Sequence, residues 1–129
     1  MSMNAFLKRS CPQTAVYWGN PTEDRDGGKT FSAPVEVSCR WEELEQLISD
    51  AKGNEIASRA LVYLLQDIDT EGVLYLGYLS TLSVAEKTDP RLIDKAYTIK
   101  RFEKTPALGS TTVFVRKAYL TTSLSFGGL

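Results

Sequence analysis

The sequence predicts a mainly β protein, a small antiparallel β-barrel or sandwich with long loops and extended terminal arms. Three observations carry this. Val35 to Trp41 alternates apolar and polar residues with period two, the signature of a half-buried strand. Short β-branched and aromatic runs recur along the chain between turns rich in Gly, Pro, Asn and Asp, as in an all-β domain. Little of the chain shows convincing helical periodicity. Six or so such strands suit a barrel or sandwich, architectures that limit exposed sheet edges.

Met1 to Pro12 has neither clean periodicity nor a cap and reads as an N-terminal arm. Gln13 to Trp18 suits a strand and ends at Gly19-Asn20-Pro21, where proline removes a donor and turns the chain. Asn20 to Pro34 is a long polar loop, a length usually tied to function or disorder. The next strand places Val35, Val37, Cys39 and Trp41 on one face. Glu42 to Asp50 fits a strand or a short helix, since Leu44, Leu47 and Ile48 share helical spacing; a strand is preferred because Asp50 to Asn54 is a hairpin loop, with Gly53 where positive φ is needed.

Ile56 to Leu65 is then the returning strand, Asp67 to Gly72 a second turn, and Val73 to Leu79 a short buried strand. Thr81 to Lys95 reads as loop with one helical turn, broken at Asp89-Pro90 and anchored by Leu92 and Ile93. Ala96 to Thr105 alternates through Tyr97, Ile99 and, after Arg101, Phe102. Pro106 to Ser110 turns the chain into the last strand, Thr111 to Leu120. Residues 13–120 therefore form one domain, and residues 121–129 a C-terminal tail.

The chain has 129 residues, room for one domain with a single core. With 43% hydrophobic and 24% charged residues, wholesale disorder is excluded. Fifteen basic against sixteen acidic residues argue against a chain whose main work is wrapping nucleic acid phosphates. Neither a signal-peptide pattern nor a run of about 18 apolar residues is present, so a soluble protein made in a cytoplasm is expected. Cys11 and Cys39 are too few for a disulfide framework and too far apart for a CxxC motif, and read as free thiols.

The absence of histidine removes Ser-His-Asp, Cys-His and His-metal sites. Glu42, Glu43 and Glu45 read as a solvated edge. Asp67, Asp69, Glu71 and Gly72 imitate the opening of a calcium loop, but Glu71 and Tyr78 stand where Asp or Asn and a bidentate Glu are required. Gly28-Lys29-Thr30 imitates a phosphate loop, but Glu23 stands where its first glycine belongs. Lys95, Lys100, Arg101, Lys104, Arg116 and Lys117 interleave with Tyr97, Phe102 and Phe114, the one feature resembling an oligonucleotide-binding barrel; alternation is expected to bury many of these aromatics and leave the cations solvated. No residue is assigned a catalytic, cofactor-binding or metal-binding role, and the chain is read as a non-enzyme.

The run TAVYWGNPTEDRDGGKTFSAPVEVSCRWEE, then EIASRALVYLLQDIDTEGVLYLG, AYTIKRFEKTP and TTVFVRKAYL, resembles the head-closure or stopper proteins of the tailed-phage head-tail joining superfamily. The order of strands and turns carries the likeness: a glycine-rich loop closing on TFSAPV, the VSCRWE strand, the SRALVYL strand, and the DIDTEGVLYLG turn. It spans Thr14 to Leu120. The resemblance implies a virion neck component, a connector made in the host cytoplasm that forms a homo-oligomeric ring, sixfold or twelvefold, below the portal or adaptor protein. Such a ring would retain packaged double-stranded DNA, touching it only transiently, and offer a docking surface to the tail terminator or other tail proteins. Membranes and cofactors play no part. A tail terminator or tail-completion ring is the nearest alternative, and an oligonucleotide-binding barrel the next.

On this reading Asn20 to Pro34 and Asp50 to Asn54 face the lumen or an adjoining ring, through Glu23, Asp24, Arg25, Asp26, Lys29 and Lys52. The arm and tail bridge neighbouring subunits through Phe6, Leu7, Phe126 and Leu129, apolar side chains that a lone monomer gains little by exposing.

Overall fold

Period-two alternation builds a closed barrel wall. The computed structural model describes residues 10–23, 28–50, 52–106 and 114–122; the roles assigned to Phe6, Leu7, Asp24, Arg25, Asp26, Phe126 and Leu129 lie outside them. Among the described residues the strands are β1 (Gln13–Trp18), β2 (Thr22–Glu23), β3 (Lys29–Thr30), β4 (Val35–Ser49), β5 (Glu55–Leu64), β6 (Val73–Leu76), β7 (Ala96–Pro106) and β8 (Phe114–Thr122), and the short helix between β6 and β7 is α1 (Val84–Thr88). Six of them close antiparallel in the order β1-β4-β5-β8-β7-β6, and β2 pairs with β3 as a separate ribbon inside the long polar loop.

Inward positions fill the barrel. Ala15 and Tyr17 meet Val37, Cys39 and Trp41 of β4, Ala60, Val62 and Leu64 of β5, and Leu74, Ile99, Ala118 and Leu120 from the remaining strands. Val35, expected on this face, is 48% exposed, because the strand begins at the barrel rim and only its later residues reach the interior. The strand continuation beyond Trp41 is present, with register irregularities between Glu43 and Gln46 and, in the β7–β8 ladder, between Ile99 and Arg101. The second explains why the inward alternation of Tyr97 and Ile99 resumes at Phe102: an extra residue in one strand shifts its facing by one.

A second core lies on the other side of β1 and β6. Val16, Trp18, Val73 and Ala96 pack there with Leu82 and Ile93 from the β6–β7 connection, and Phe31, Tyr75 and Leu79 join from the margin. Burial on both faces explains why the AVYW run of β1 is apolar throughout instead of alternating. The connection contains two 3₁₀ turns, Leu79–Thr81 and Pro90–Leu92, around α1. Ile93 is the anchor expected of it, whereas Leu92 is exposed. The expected strand to Leu79 stops at Leu76, where pairing with β1 ends opposite Ala15.

Ser83 caps α1 with a reciprocal box: its hydroxyl accepts from Glu86 N at 3.2 Å, and Glu86 Oε1 accepts from Ser83 N at 2.8 Å. At the other end Trp18 Nε1 donates to the Lys87 carbonyl at 2.8 Å, satisfying one of the acceptors a helix leaves open at its C-terminus. One indole thus fills the second core and ties the helix to β1.

Candidate functional site

The two loop segments assigned to a common partner surface meet. Glu23 and Lys29 leave the β2–β3 ribbon, Lys52 leaves the β4–β5 hairpin, and the three line one recess of about 400 Å³ with Pro21, Thr22, Thr70 and Glu71. The ribbon is held by the Thr22↔Thr30 and Glu23↔Lys29 pairs and by a hydrogen bond between the two threonine hydroxyls. The hairpin is held by Asp50, whose carboxylate accepts from Lys52 N and Asn54 N, both at 2.9 Å; these bonds hold its carboxyl below the usual range, that from Asn54 most of all. Gly53 has φ +87°, the positive value foreseen for the loop. Farther down the hairpin, Arg101 Nη1 donates to the Ser49 carbonyl at 3.2 Å, which brings the hairpin end to β7.

Glu71 is the recess residue that sequence reasoning missed. Its carboxylate meets Lys29 Nζ at 3.6 Å and Lys100 Nζ at 3.1 Å, so one acid links the ribbon to β7. In sequence it was only part of a turn, and the signal that could have marked it was the even spacing of Asp67, Asp69 and Glu71. Those three acids diverge. Asp67 takes Arg116 Nε at 2.7 Å and Lys104 Nζ at 3.1 Å. Asp69 accepts from Tyr17 Oη at 3.2 Å and Asn20 N at 2.8 Å. The segment is a structural turn that distributes charge to three places. Its tightness rests on Gly72, where a Cβ would sit 2.8 Å from the Trp18 carbonyl.

The basic group on β7 and β8 is engaged, which corrects the expectation of plain solvated cations. Arg101 pairs with Glu103 at 2.9 Å. Lys104 and Arg116 share Asp67 and flank the Phe114 ring, their charges 4.6 and 5.8 Å from its centroid, while Lys117 lies 6.0 Å above the Tyr63 ring. The Arg116 hydrogen bond, followed by that from Lys104, lowers the Asp67 carboxyl. Of the interleaved aromatics, Tyr97 and Phe102 pack against the barrel core, and Tyr97 lies 5.7 Å from Trp41; Phe114 is half-buried.

In the acidic run, Glu42 and Glu45 bond to Arg40 and Arg59, and Glu43 is exposed. Cys11 and Cys39 are free and buried. Cys11 packs on the barrel and its thiol donates to the Tyr63 carbonyl at 3.8 Å, so burial reaches into the segment read as an arm. Burial pushes the Cys39 thiol up to about 12, with Cys11 adding to the effect; such a thiol stays protonated and is a poor nucleophile at neutral pH. Among the described residues no cluster of three or more His, Cys, Asp or Glu could hold a metal ion, and no helix is long and apolar enough to cross a membrane. No protein-family model matches the chain, and no curated protein matches it.

Proposed function

We propose that this chain is a structural subunit of a tailed-phage neck, a head-closure or stopper protein that forms a ring below the portal or adaptor and receives the tail. The observation that carries the reading is the meeting of Glu23, Lys29 and Lys52, from two separate polar loops, in one recess on a closed barrel. A rigid barrel that gathers its polar loops presents them together to one neighbour or to a channel. The side chains there are of mixed sign, Lys29 and Lys52 beside Glu23 and Glu71, which suits a wall that passes DNA without gripping it. The resemblance along Thr14 to Leu120 supplies the assembly; the barrel is compatible with it.

The test is cryo-electron microscopy of the purified chain, alone and mixed with virion neck fractions. A ring between the portal or adaptor and the tail, with the recess loops toward the axis or the next ring, is the expected result. A ring at the head-proximal end of the tail would assign the chain to tail terminators instead. A persistent monomer that ignores neck fractions would remove both. One observation favours a second reading, single-strand nucleic acid binding: Phe114 lies between two cations, the combination that stacks a base and holds a phosphate. Retention on single-stranded DNA that weakens steeply with salt would support it, whereas Asp67, bound to both cations, opposes it.

A further inference from the structure

Consecutive residues of a strand face opposite sides of the sheet, so two neighbours in sequence cannot ordinarily serve the same outer surface. β7 breaks this rule once. Ile99 pairs with Leu120 and Arg101 with Tyr119, which are adjacent in β8, so Lys100 is the extra residue of a bulge. The barrel core takes Ile99 and Phe102 on either side of it. Lys100 and Arg101 are thereby left side by side outside the core. Bulges of this kind re-aim side chains and are common beside functional sites.

Each of the two holds one loop of the recess. Lys100 Nζ donates to both carboxylate oxygens of Glu71 at 3.1 Å, and Glu71 in turn meets Lys29 of the β2–β3 ribbon at 3.6 Å. Glu71 itself has φ +69°, a conformation that non-glycine residues seldom hold and that is often kept where function requires it. Its N–H donates to the Ile99 carbonyl at 2.7 Å, directly before the bulge. Arg101 reaches the other way. Its Nε and Nη2 rest on Glu103 at 3.0 and 2.9 Å, which leaves Nη1 to donate to the carbonyl of Ser49 at 3.2 Å, where β4 ends and the hairpin loop carrying Lys52 begins. The charge of Lys100 also reaches the hairpin, adding to the bonds from Asn54 and Lys52 that lower the Asp50 carboxyl.

We infer that the β7 bulge organises the partner surface: Lys100 and Arg101 are positioning residues that hold the β2–β3 ribbon and the β4–β5 hairpin together, so that the recess meets its neighbour preformed. The described lining includes Lys29, Lys52 and Glu71 but neither Lys100 nor Arg101, so the two act through other residues. Without the extra residue they would take opposite faces, and only one loop could be held. A preformed surface avoids the cost of ordering loops during association. The inference deepens the ring reading and rests on it for the identity of the neighbour.

The test starts with the full-length chain at high dilution, treated with a short amine-reactive crosslinker and read by mass spectrometry, with hydrogen exchange in parallel. The wild type is expected to give a Lys29–Lys52 link. Arg101→Ala should lower its yield about fivefold, the effect of losing one hydrogen bond, and speed exchange in Gln46 to Ser49 and Glu55 to Ser58 while the barrel strands stay protected. Lys100→Ala should lower the yield similarly and speed exchange in Thr22–Glu23 and Lys29–Thr30, and Lys100→Arg should restore both. Absence of the link in the wild type, or yield and exchange unchanged in both alanine variants, would overturn the inference. Exchange rising evenly through every strand would also overturn it, because the two residues would then support the barrel as a whole. Sedimentation velocity with neck fractions separates this from the ring reading. Both alanine variants should assemble about fivefold more weakly; rings as tight as the wild type's would overturn the positioning role and leave the ring reading standing. A wild type that gives the link yet stays monomeric would overturn the ring reading and leave the bulge as organiser of the recess.

Discussion

Thr98 and Trp41 each bury a polar atom, Oγ1 and Nε1, with no hydrogen-bond partner among the described residues. An unmet hydroxyl in an apolar setting costs about 1 to 3 kcal/mol. Thr98→Val keeps the shape and removes the hydroxyl, so the variant is expected to gain about 1 kcal/mol, seen as a higher urea midpoint with an unchanged slope. A lower midpoint would mean that the hydroxyl has a partner in solution. Cys39 gives a residue-level prediction in pH. Its folded pKa of about 12 lies above the ordinary 9.0, so above pH 9 the unfolded chain gives up a proton that the folded state keeps. The stabilising difference is complete below pH 9 and is lost as pH rises toward about 12. Burial likewise raises Cys11, Tyr17 and Tyr119. Cys39→Ala should be less stable at neutral pH but decline less steeply through the alkaline range, measured by denaturant unfolding; an unchanged slope would contradict the assignment.

Single elements are held by a few contacts that can be removed one at a time. Ser83→Ala breaks the capping box of α1 and should cost about 1 kcal/mol, with hydrogen exchange faster in Val84–Thr88 than in the barrel strands; protection unchanged there would show that Trp18 alone holds the helix. At the Asp67 to Gly72 turn, Gly72→Ala should cost about 1 to 3 kcal/mol, because the added Cβ meets the Trp18 backbone; no loss in a thermal melt would mean the turn can shift. These elements also show what was legible in the sequence. β4 was, because one buried face imposes period two on Val35 to Trp41, and β5 was, as the strand returning from the Asp50 to Asn54 hairpin loop. The two-sided burial of β1 was not, because Leu82 and Ile93 lie far along the chain. The box Ser83-x-x-Glu86 was present in the sequence, but five residues are too few for a helical period to show. At the candidate site, Glu23, Lys29 and Lys52 were named from loop composition; their meeting with Glu71 depends on barrel closure, which no local pattern encodes.

At the scale of the whole molecule, closure depends on pairings between distant segments. β1 joins β4 and β6, and β8 joins β5 and β7. Non-local ladders of this kind slow folding to milliseconds or longer, and a single cooperative transition is expected because the barrel core is shared by all six strands. Stopped-flow refolding checks this; a microsecond phase with full amplitude would contradict it.

The position of β8 in the chain has a consequence on the ribosome. β8 is the last barrel strand to be made, yet it is the one that seals β5 to β7. Until Thr122 has left the exit tunnel, the nascent chain must carry two unpaired strand borders and an open apolar interior. A message truncated before Phe114 would release a chain with no means of closing, destined for chaperones or proteases, so translation must run through β8 before the barrel can exist.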